Sequence, residues 1–327
     1  MTTGEGLRIG ISGVGSIGAR HARVFGAEPG VTTVLYDSGV TRDELSARFP
    51  QAEAVNSFDE LLDASLDGVV VATPDQAHPA QASAASRRGL PVLLEKPVAA
   101  SRAAATPITA ALRDGGAPIL VGYVLRHLKC LARARQMLAA GEIGEPVSFH
   151  ATLGAYETLV AARSRFASPV RDSLFVDYSH EWDYLRWLLG PIEGGFALAH
   201  TSGNLPLRQE PNVVDCVLRL QTGVTGSVHL DYVQQRGARA CEVIGDAGVL
   251  RIDVIRGVVS LQRVAEPPQV EELAWSRDEL FQTQARHFLD VVAGNATPVV
   301  GLEEGLASVD VAEALIASAA SGRWEVV

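Results

Sequence analysis

Two rhythms of apolar residues divide the chain. In its first part, short apolar or alternating runs take turns with stretches of helical period. Leu7-Arg8-Ile9-Gly10-Ile11-Ser12 alternates as a half-buried strand does, and residues 19–25 read as a helix. Val31-Thr32-Thr33-Val34-Leu35-Tyr36 predicts the next strand, followed by short helices over 43–48 and 58–63. Residues 67–74 hold a run of valines that suits a parallel strand covered on both faces, and end in a Thr73-Pro74 turn. An alanine-rich helix over 76–88, a strand over 89–94, a helix over about 102–113 and a strand over 118–123 complete the series. Strand and helix in regular alternation imply βαβ units, and hence one doubly wound α/β domain with a parallel sheet over residues 1–122.

Beyond it the pattern shifts. Leu128, Leu131, Ala134, Arg135 and Leu138 recur at helical spacing, and residues 147–152 open a strand. Residues 156–171 show no clear period and are rich in arginine, serine and alanine, which reads as a loop or lid. Over 173–190, Trp182, Leu185, Leu188 and Leu189 make a helical stripe. From Gly194 to about Arg263 the chain is strand-like, with runs at 213–220, 226–232, 241–245 and 248–252. Helices over 280–293 and 302–321 follow, and Trp324-Glu325-Val326-Val327 adds an edge strand. Antiparallel strands after a βαβ series predict a separate α+β domain over 123–301 with a large, mostly antiparallel, open-faced sheet. The helix over about 302–321 is expected to pack back against the first domain.

Composition narrows the class. The 327 residues are 47% hydrophobic and 20% charged, as in a globular protein with substantial cores. A formal net charge of -10 and the lack of any dense lysine/arginine run argue against nucleic acid, whose binding rests on phosphate neutralisation. An anionic ligand would then be held by a local device such as a helix N-terminus. Cys130, Cys216 and Cys241 are scattered and odd in number, which fits buried thiols rather than a disulfide framework. The N-terminus lacks the basic-then-apolar layout of a signal peptide, and no apolar run approaches the roughly 20 residues of a membrane span. The expected location is cytoplasmic, with no membrane partner.

The candidate chemistry sits where strands end. Gly13-Val14-Gly15-Ser16-Ile17-Gly18 joins the first strand to the first helix, the context required of a Rossmann dinucleotide fingerprint. Gly13 permits the tight turn, Gly15 lets backbone approach a pyrophosphate, and Gly18 lets the helix lie close to the strand. The second strand ends in Asp37, about 20 residues on, where an acid binds a ribose diol. An aspartate there favours NAD because it repels a 2′-phosphate, while Arg42 nearby leaves NADP open. Lys96 ends an apolar strand, at the sheet edge where open parallel sheets bind ligands, and His78 opens a helix beside another strand end. Asp177, His180 and Asp183 fall every third residue, which on one helix shares a face. A His-Asp pair suits a proton shuttle, because histidine titrates near neutrality and a carboxylate orients it. A metal site is the rival, but further ligands at suitable spacing are lacking. Arg163, Arg165 and Arg171 in the presumed lid read either as solvated charge or as contacts to an anionic substrate.

The glycine motif, Ala72-Thr73-Pro74 with His78, Glu95-Lys96-Pro97 and Gly122-Tyr123 occur in this order and at suitable spacing. Together they resemble the glucose–fructose oxidoreductase / inositol dehydrogenase (Gfo/Idh/MocA) family over nearly the whole chain. The resemblance implies a cofactor cradle of Gly13, Gly15, Ser16, Ile17, Gly18, Asp37, Arg42, Thr73, Pro74, His78, Glu95 and Lys96. It implies that Lys96 lies between nicotinamide and substrate and assists proton transfer, with His180 and Asp177 on a helix opposite the nicotinamide. Lys96, Tyr123, Arg126, Asp177 and His180 would meet substrate, and Asp183 would anchor the helix. Members carry phenylalanine, asparagine and two arginines after the Gly122 position; here Tyr123-Val124-Leu125-Arg126 makes a more apolar wall. Many members place the aspartate four residues before the histidine, whereas Asp177 is three before His180. The implied activity is NAD(P)-dependent hydride transfer at a secondary alcohol of a sugar, cyclitol or sugar derivative, in a homodimer or homotetramer formed through the second sheet. Two alternatives stand beside it: an NADPH-dependent keto-sugar or imine reductase, and a non-catalytic dinucleotide or sugar sensor of the same fold.

Overall fold

A computed structural model describes residues 6–161, 172–207 and 209–327. Contacts group into two compact units, one running to Val124 and including Ser276–Val309, the other holding Leu125–Trp275 and Asp310–Val327.

The first unit is built on six parallel strands: β1 (Leu7–Ser12), β2 (Val31–Tyr36), β3 (Glu53–Ala54), β4 (Gly68–Val71), β5 (Val92–Leu94) and β6 (Ile119–Val121). Their order is β3-β2-β1-β4-β5-β6, so the winding reverses between β1 and β4. Helices α1 (Ser16–Gly26), α2 (Arg42–Arg48), α3 (Phe58–Leu62), α4 (His78–Arg87) and α5 (Thr106–Arg113) connect them. Every residue of β4, β5 and β6 is buried, as the valine run predicts for a sheet covered on both faces. Thr41 and Glu44 form a capping box on α2, and the Ser57 hydroxyl caps α3 by accepting the Glu60 N–H, which sets where both short helices start. The expected doubly wound sheet is therefore present.

The second unit holds α6 (Lys129–Ala139), α7 (Tyr156–Ala161), α8 (Ser173–Asp177), α9 (Ser179–Leu189) and a nine-stranded sheet. Its strands are β7 (Pro146–Gly154), β8 (Ile192–His200), β9 (Val213–Leu220), β10 (Thr225–Asp231), β11 (Ala238–Gly245), β12 (Gly248–Asp253), β13 (Val258–Arg263), β14 (Gln269–Glu272) and β15 (Glu325–Val326). The order is β14-β13-β12-β11-β7-β10-β9-β8-β15, antiparallel except for the β7–β10 pair. β9 and β10 alternate buried with exposed or half-buried positions, so one face of the sheet is covered and the other open.

Two helices follow. α10 (Arg277–Val292), expected in the second domain, belongs to the first unit. It packs on α1, with Phe288 edge-to-face on Phe25 and Phe281 against His21. A Cβ on Gly68 would stand 2.8 Å from Val292, so the absence of a side chain on β4 admits the helix. α11 (Leu302–Ser321) is shared out at Val309: Gly305 lies against Val98 and Val121, while Leu315 lies against Gly195 of β8.

The stretch read as one helix over 173–190 is two. Tyr178 (φ -101°, ψ 27°) breaks it, ending α8 and preceding α9. Trp182 supplies the reason the break is tolerated, because its indole N–H donates to the Phe175 carbonyl at 2.9 Å. Asp177 and His180 therefore lie on different helices, and the every-third-residue face does not form.

Candidate active site

In the first unit the β1–α1 turn is shaped by glycine at two positions above all. Gly13 has φ +83°, and a Cβ there would be 2.7 Å from the Ala72 carbonyl and the Thr73 nitrogen. A Cβ on Gly18 would be 1.7 Å from the Gly13 carbonyl oxygen, so α1 crosses the strand end at a distance only glycine allows. At Gly15, by contrast, a Cβ would meet nothing within 4 Å. Gly15 is the N-cap of α1, and among the described residues no side chain caps that end. First-turn amides beside open backbone are the donor set an anionic pyrophosphate requires. The loop thus fits a dinucleotide, with Ser16 and Ile17 opening the helix as expected.

Asp37 already grips this loop. Its Oδ2 accepts the Val14 N–H at 2.6 Å and its Oδ1 the Gly39 N–H at 2.8 Å. Arg48, which sequence reading passed over, donates to the Val14 carbonyl at 3.2 Å. Arg42 is the exposed first residue of α2. Thr73 and Ser12 both donate to the Gln81 amide oxygen, at 3.4 and 2.8 Å, so Gln81 joins the ends of β1 and β4. Its position on α4 carries no local signal, which is why sequence reading missed it.

His78 is 1% exposed, with Nδ1 at 2.7 Å from the Pro97 carbonyl and Nε2 at 2.9 Å from the Thr73 carbonyl. It was expected at the cofactor. Both ring nitrogens are occupied by backbone, and it fastens the Thr73-Pro74 turn to the Lys96-Pro97 turn. Glu95 was also assigned to the cofactor. Its Oε1 lies 2.8 Å from His21 Nε2, inside the unit, and its Oε2 accepts the Lys96 N–H at 3.3 Å. Lys96 itself lies two residues past Leu94, the last residue of β5, and is half-buried. Tyr123, just past β6, is wholly buried.

In the second unit Arg126 is not a freely presented pocket arginine. Its guanidinium grips the Asp183 carboxylate through Nε (3.0 and 3.2 Å) and Nη2 (2.8 Å), with both side chains buried, and it lies over Trp187. Asp183 is thus the anchor expected, with Arg126 as its partner. Glu181 makes a second such pair with Arg239, at 2.7 and 2.8 Å. His180 is half-buried, as is Asp177, whose carboxylate accepts the Tyr232 hydroxyl at 3.4 Å. Beside them the Tyr178 phenol is pushed up to about 12, chiefly by burial, so it is a neutral donor. Tyr232 and Arg239 were missed because their partners lie more than 50 residues away in the chain. Arg163, Arg165 and Arg171 lie outside the described residues.

Among the described residues no group of three or more His, Cys, Asp or Glu is arranged to hold a metal. The three cysteines are buried; desolvation pushes the Cys130 thiol up to about 11 and Cys241 to about 12. No helix of the described residues is long and apolar enough to cross a membrane.

A glycine loop at the reversal point of a parallel sheet, with an acid at the end of β2, defines a dinucleotide-binding oxidoreductase domain. The family model described as the oxidoreductase family with NAD-binding Rossmann fold matches residues 7–123, and the GFO/IDH/MocA C-terminal domain matches 131–251. An inositol 2-dehydrogenase of Saccharopolyspora erythraea is 30% identical, over 97% of this chain and 94% of its own. A 1,5-anhydro-D-fructose reductase of Ensifer adhaerens is 27% identical over 83% of each. Among solved structures, an oxidoreductase from Agrobacterium radiobacter in complex with NAD+, L-tartaric acid and magnesium has a TM-score of 0.85 at 20% identity, covering 97% of each chain. A levoglucosan dehydrogenase in complex with NADH and L-sorbose has a TM-score of 0.85 at 19% identity, covering 99% of each. The chain belongs to the Gfo/Idh/MocA family of NAD-binding oxidoreductases.

Proposed function

We propose that the protein is a dehydrogenase that moves a hydride between NAD and a secondary alcohol of a sugar, cyclitol or sugar derivative. The observation that carries this reading is Lys96, a half-buried amine at the carboxyl end of β5, in the sheet whose first turn is the open glycine cradle. When bound, NAD takes up or returns the hydride. Lys96 exchanges the hydroxyl proton that must leave as the carbonyl forms. His180 is the second acid/base, and Asp177, held by Tyr232, orients the substrate beside it. Asp37 turns from the Val14 and Gly39 amides to the adenosine ribose diol, where its charge selects NAD over NADP. The names of the relatives, an inositol 2-dehydrogenase and an anhydrofructose reductase, support a polyhydroxylated substrate.

Titration with NADH and NADPH followed by nicotinamide fluorescence, and then an oxidation screen over cyclitols and sugars, test the reading. Lys96→Ala is expected to keep NADH binding and lose about 100- to 10,000-fold in turnover, the usual worth of a general acid/base. A parent that binds NADH yet oxidises nothing in the screen, whatever the pH, overturns the dehydrogenase in favour of a sensor.

A further inference from the structure

His21 is a histidine that the cofactor cradle does not use. It sits on α1, three residues after Gly18, and its side chain is entirely buried. Phe25 and Phe281 flank it, the latter edge-on with centroids 5.3 Å apart. In these apolar surroundings its Nε2 meets one group, the Glu95 carboxylate, at 2.8 Å. Glu95 is itself poorly exposed, its side chain lying over Gly122, where a Cβ would come 3.0 Å from Oε2.

The carboxylate faces two ways. Oε1 takes His21, and Oε2 takes the backbone N–H of Lys96 at 3.3 Å. The neighbouring backbone is held by the sheet, through Glu95 N–H to Val71 O at 2.9 Å and Gly122 N–H to Leu94 O at 2.7 Å. At Lys96 this ladder has ended, and the Glu95 side chain takes over. Arg277 of α10 and Arg20, whose guanidinium lies over Phe281, are charges nearby. Burial, then Arg20, lower the Arg277 pKa, while Asp278 and Glu95 act in the opposite sense.

We propose that His21 is a positioning residue for Lys96, acting through Glu95. The imidazole locks the carboxylate rotamer, and the carboxylate holds the Glu95–Lys96 peptide, so the helix that opens at the glycine loop also sets where the amine is aimed. The inference deepens the function proposed above and rests on Lys96 being its acid/base. A positioned group two residues beyond a strand needs such a support, since small misplacements of catalytic groups are costly.

The chain has only two lysines, Lys96 and Lys129, and Lys129 is exposed, which allows a direct test. The full-length chain is acetylated with limiting acetic anhydride, and the ratio of modified Lys96 to modified Lys129 is read by peptide mass spectrometry. His21→Leu, which fits the aromatic surroundings but cannot reach Glu95 with a donor, is expected to raise the ratio about fivefold or more as the strand end loosens. His21→Gln, whose amide nitrogen reaches where Nε2 does, is expected to keep the parental ratio. If the leucine variant does not fold, His21→Asn, polar but too short, takes its place. In turnover, His21→Leu is expected to lose about 10- to 100-fold in kcat at unchanged NADH affinity, with glutamine restoring most of it. A parental labelling ratio in His21→Leu, or equal changes in the leucine and glutamine variants, overturns the proposal. A kcat loss matched by an equal loss of NADH affinity also overturns it, in favour of a purely structural histidine. A parent without turnover on any substrate sinks the dehydrogenase reading instead, and the labelling ratio still decides this one.

Discussion

Alanine substitutions at Gly15 and Gly18 separate a glycine the fold needs from a glycine the ligand needs. At Gly18 the new Cβ would be 1.7 Å from the Gly13 oxygen and 2.8 Å from its carbon. Both atoms are backbone, so relief requires the β1–α1 turn to move, and overpacking of this kind costs about 1–3 kcal/mol. At Gly15 a Cβ meets nothing within 4 Å, and the backbone, φ -66°, is one alanine adopts. Removing a glycine there narrows the unfolded ensemble, which stabilises by about 0.4–1 kcal/mol when nothing clashes. Thermal midpoints of the cofactor-free proteins therefore move in opposite directions, down for Gly18→Ala and level or up for Gly15→Ala. NADH affinity falls in both, because the Gly15 methyl would occupy the space through which a pyrophosphate reaches the first amides of α1; a loss of about 3 kcal/mol is about 100-fold in Kd. Calorimetry without ligand and fluorescence titration with NADH read the two quantities. Gly15→Ala binding NADH like the parent would refute the reasoning, since the phosphates would then lie elsewhere. A Gly15→Ala protein less stable than the parent would show that the space is not open.

Other substitutions test other parts of the site. Asp37→Ala is expected to weaken NADH binding about 10- to 100-fold, as loss of a charge-assisted ribose contact does, and to narrow the preference over NADPH; parallel titrations with both cofactors check it. Asp183→Ala leaves the Arg126 guanidinium buried without its carboxylate and is expected to cost about 3–5 kcal/mol in urea unfolding, while Arg126→Met with Asp183→Leu recovers most of it. His229 on β10 is desolvated, which lowers its pKa, but Asp215 and Asp231 on either side outweigh this and raise it above 6.5. A raised folded-state pKa stabilises below the unfolded value and the benefit is lost as pH rises through the folded value. The thermal midpoint of His229→Gln should therefore trail the parent most below pH 6.5 and converge with it at higher pH; a gap that widens with pH contradicts the assignment.

What could be read from the sequence, and what could not, follows the distance over which each determinant acts. The glycine loop was legible because its constraints are local: Gly13 and Gly18 serve one turn, and Asp37 lies one βαβ unit on. The strand end before Lys96 was legible because an apolar run stops at Glu95-Lys96-Pro97. His78, Glu95 and Arg126 were assigned to cofactor or substrate, and their partners within the chain were not foreseen, because a polar residue at a strand end reads the same whether it faces solvent, substrate or another part of the chain. Those partners lie 19, 74 and 57 residues away. The Asp177-His180-Asp183 spacing failed for a different reason. Its period is helical, but the Trp182 indole satisfies the Phe175 carbonyl and makes a break at Tyr178 affordable, and nothing in a spacing rule counts a side chain as a backbone donor. The same argument explains α10, whose own pattern only says that one face is apolar; the missing side chain at Gly68 decides which sheet receives that face. In each case the sequence marks a demand, and the long-range partner that meets it determines whether the residue serves the fold or the chemistry. His21 is where the two converge, since a contact that buries a histidine also reaches the peptide of Lys96.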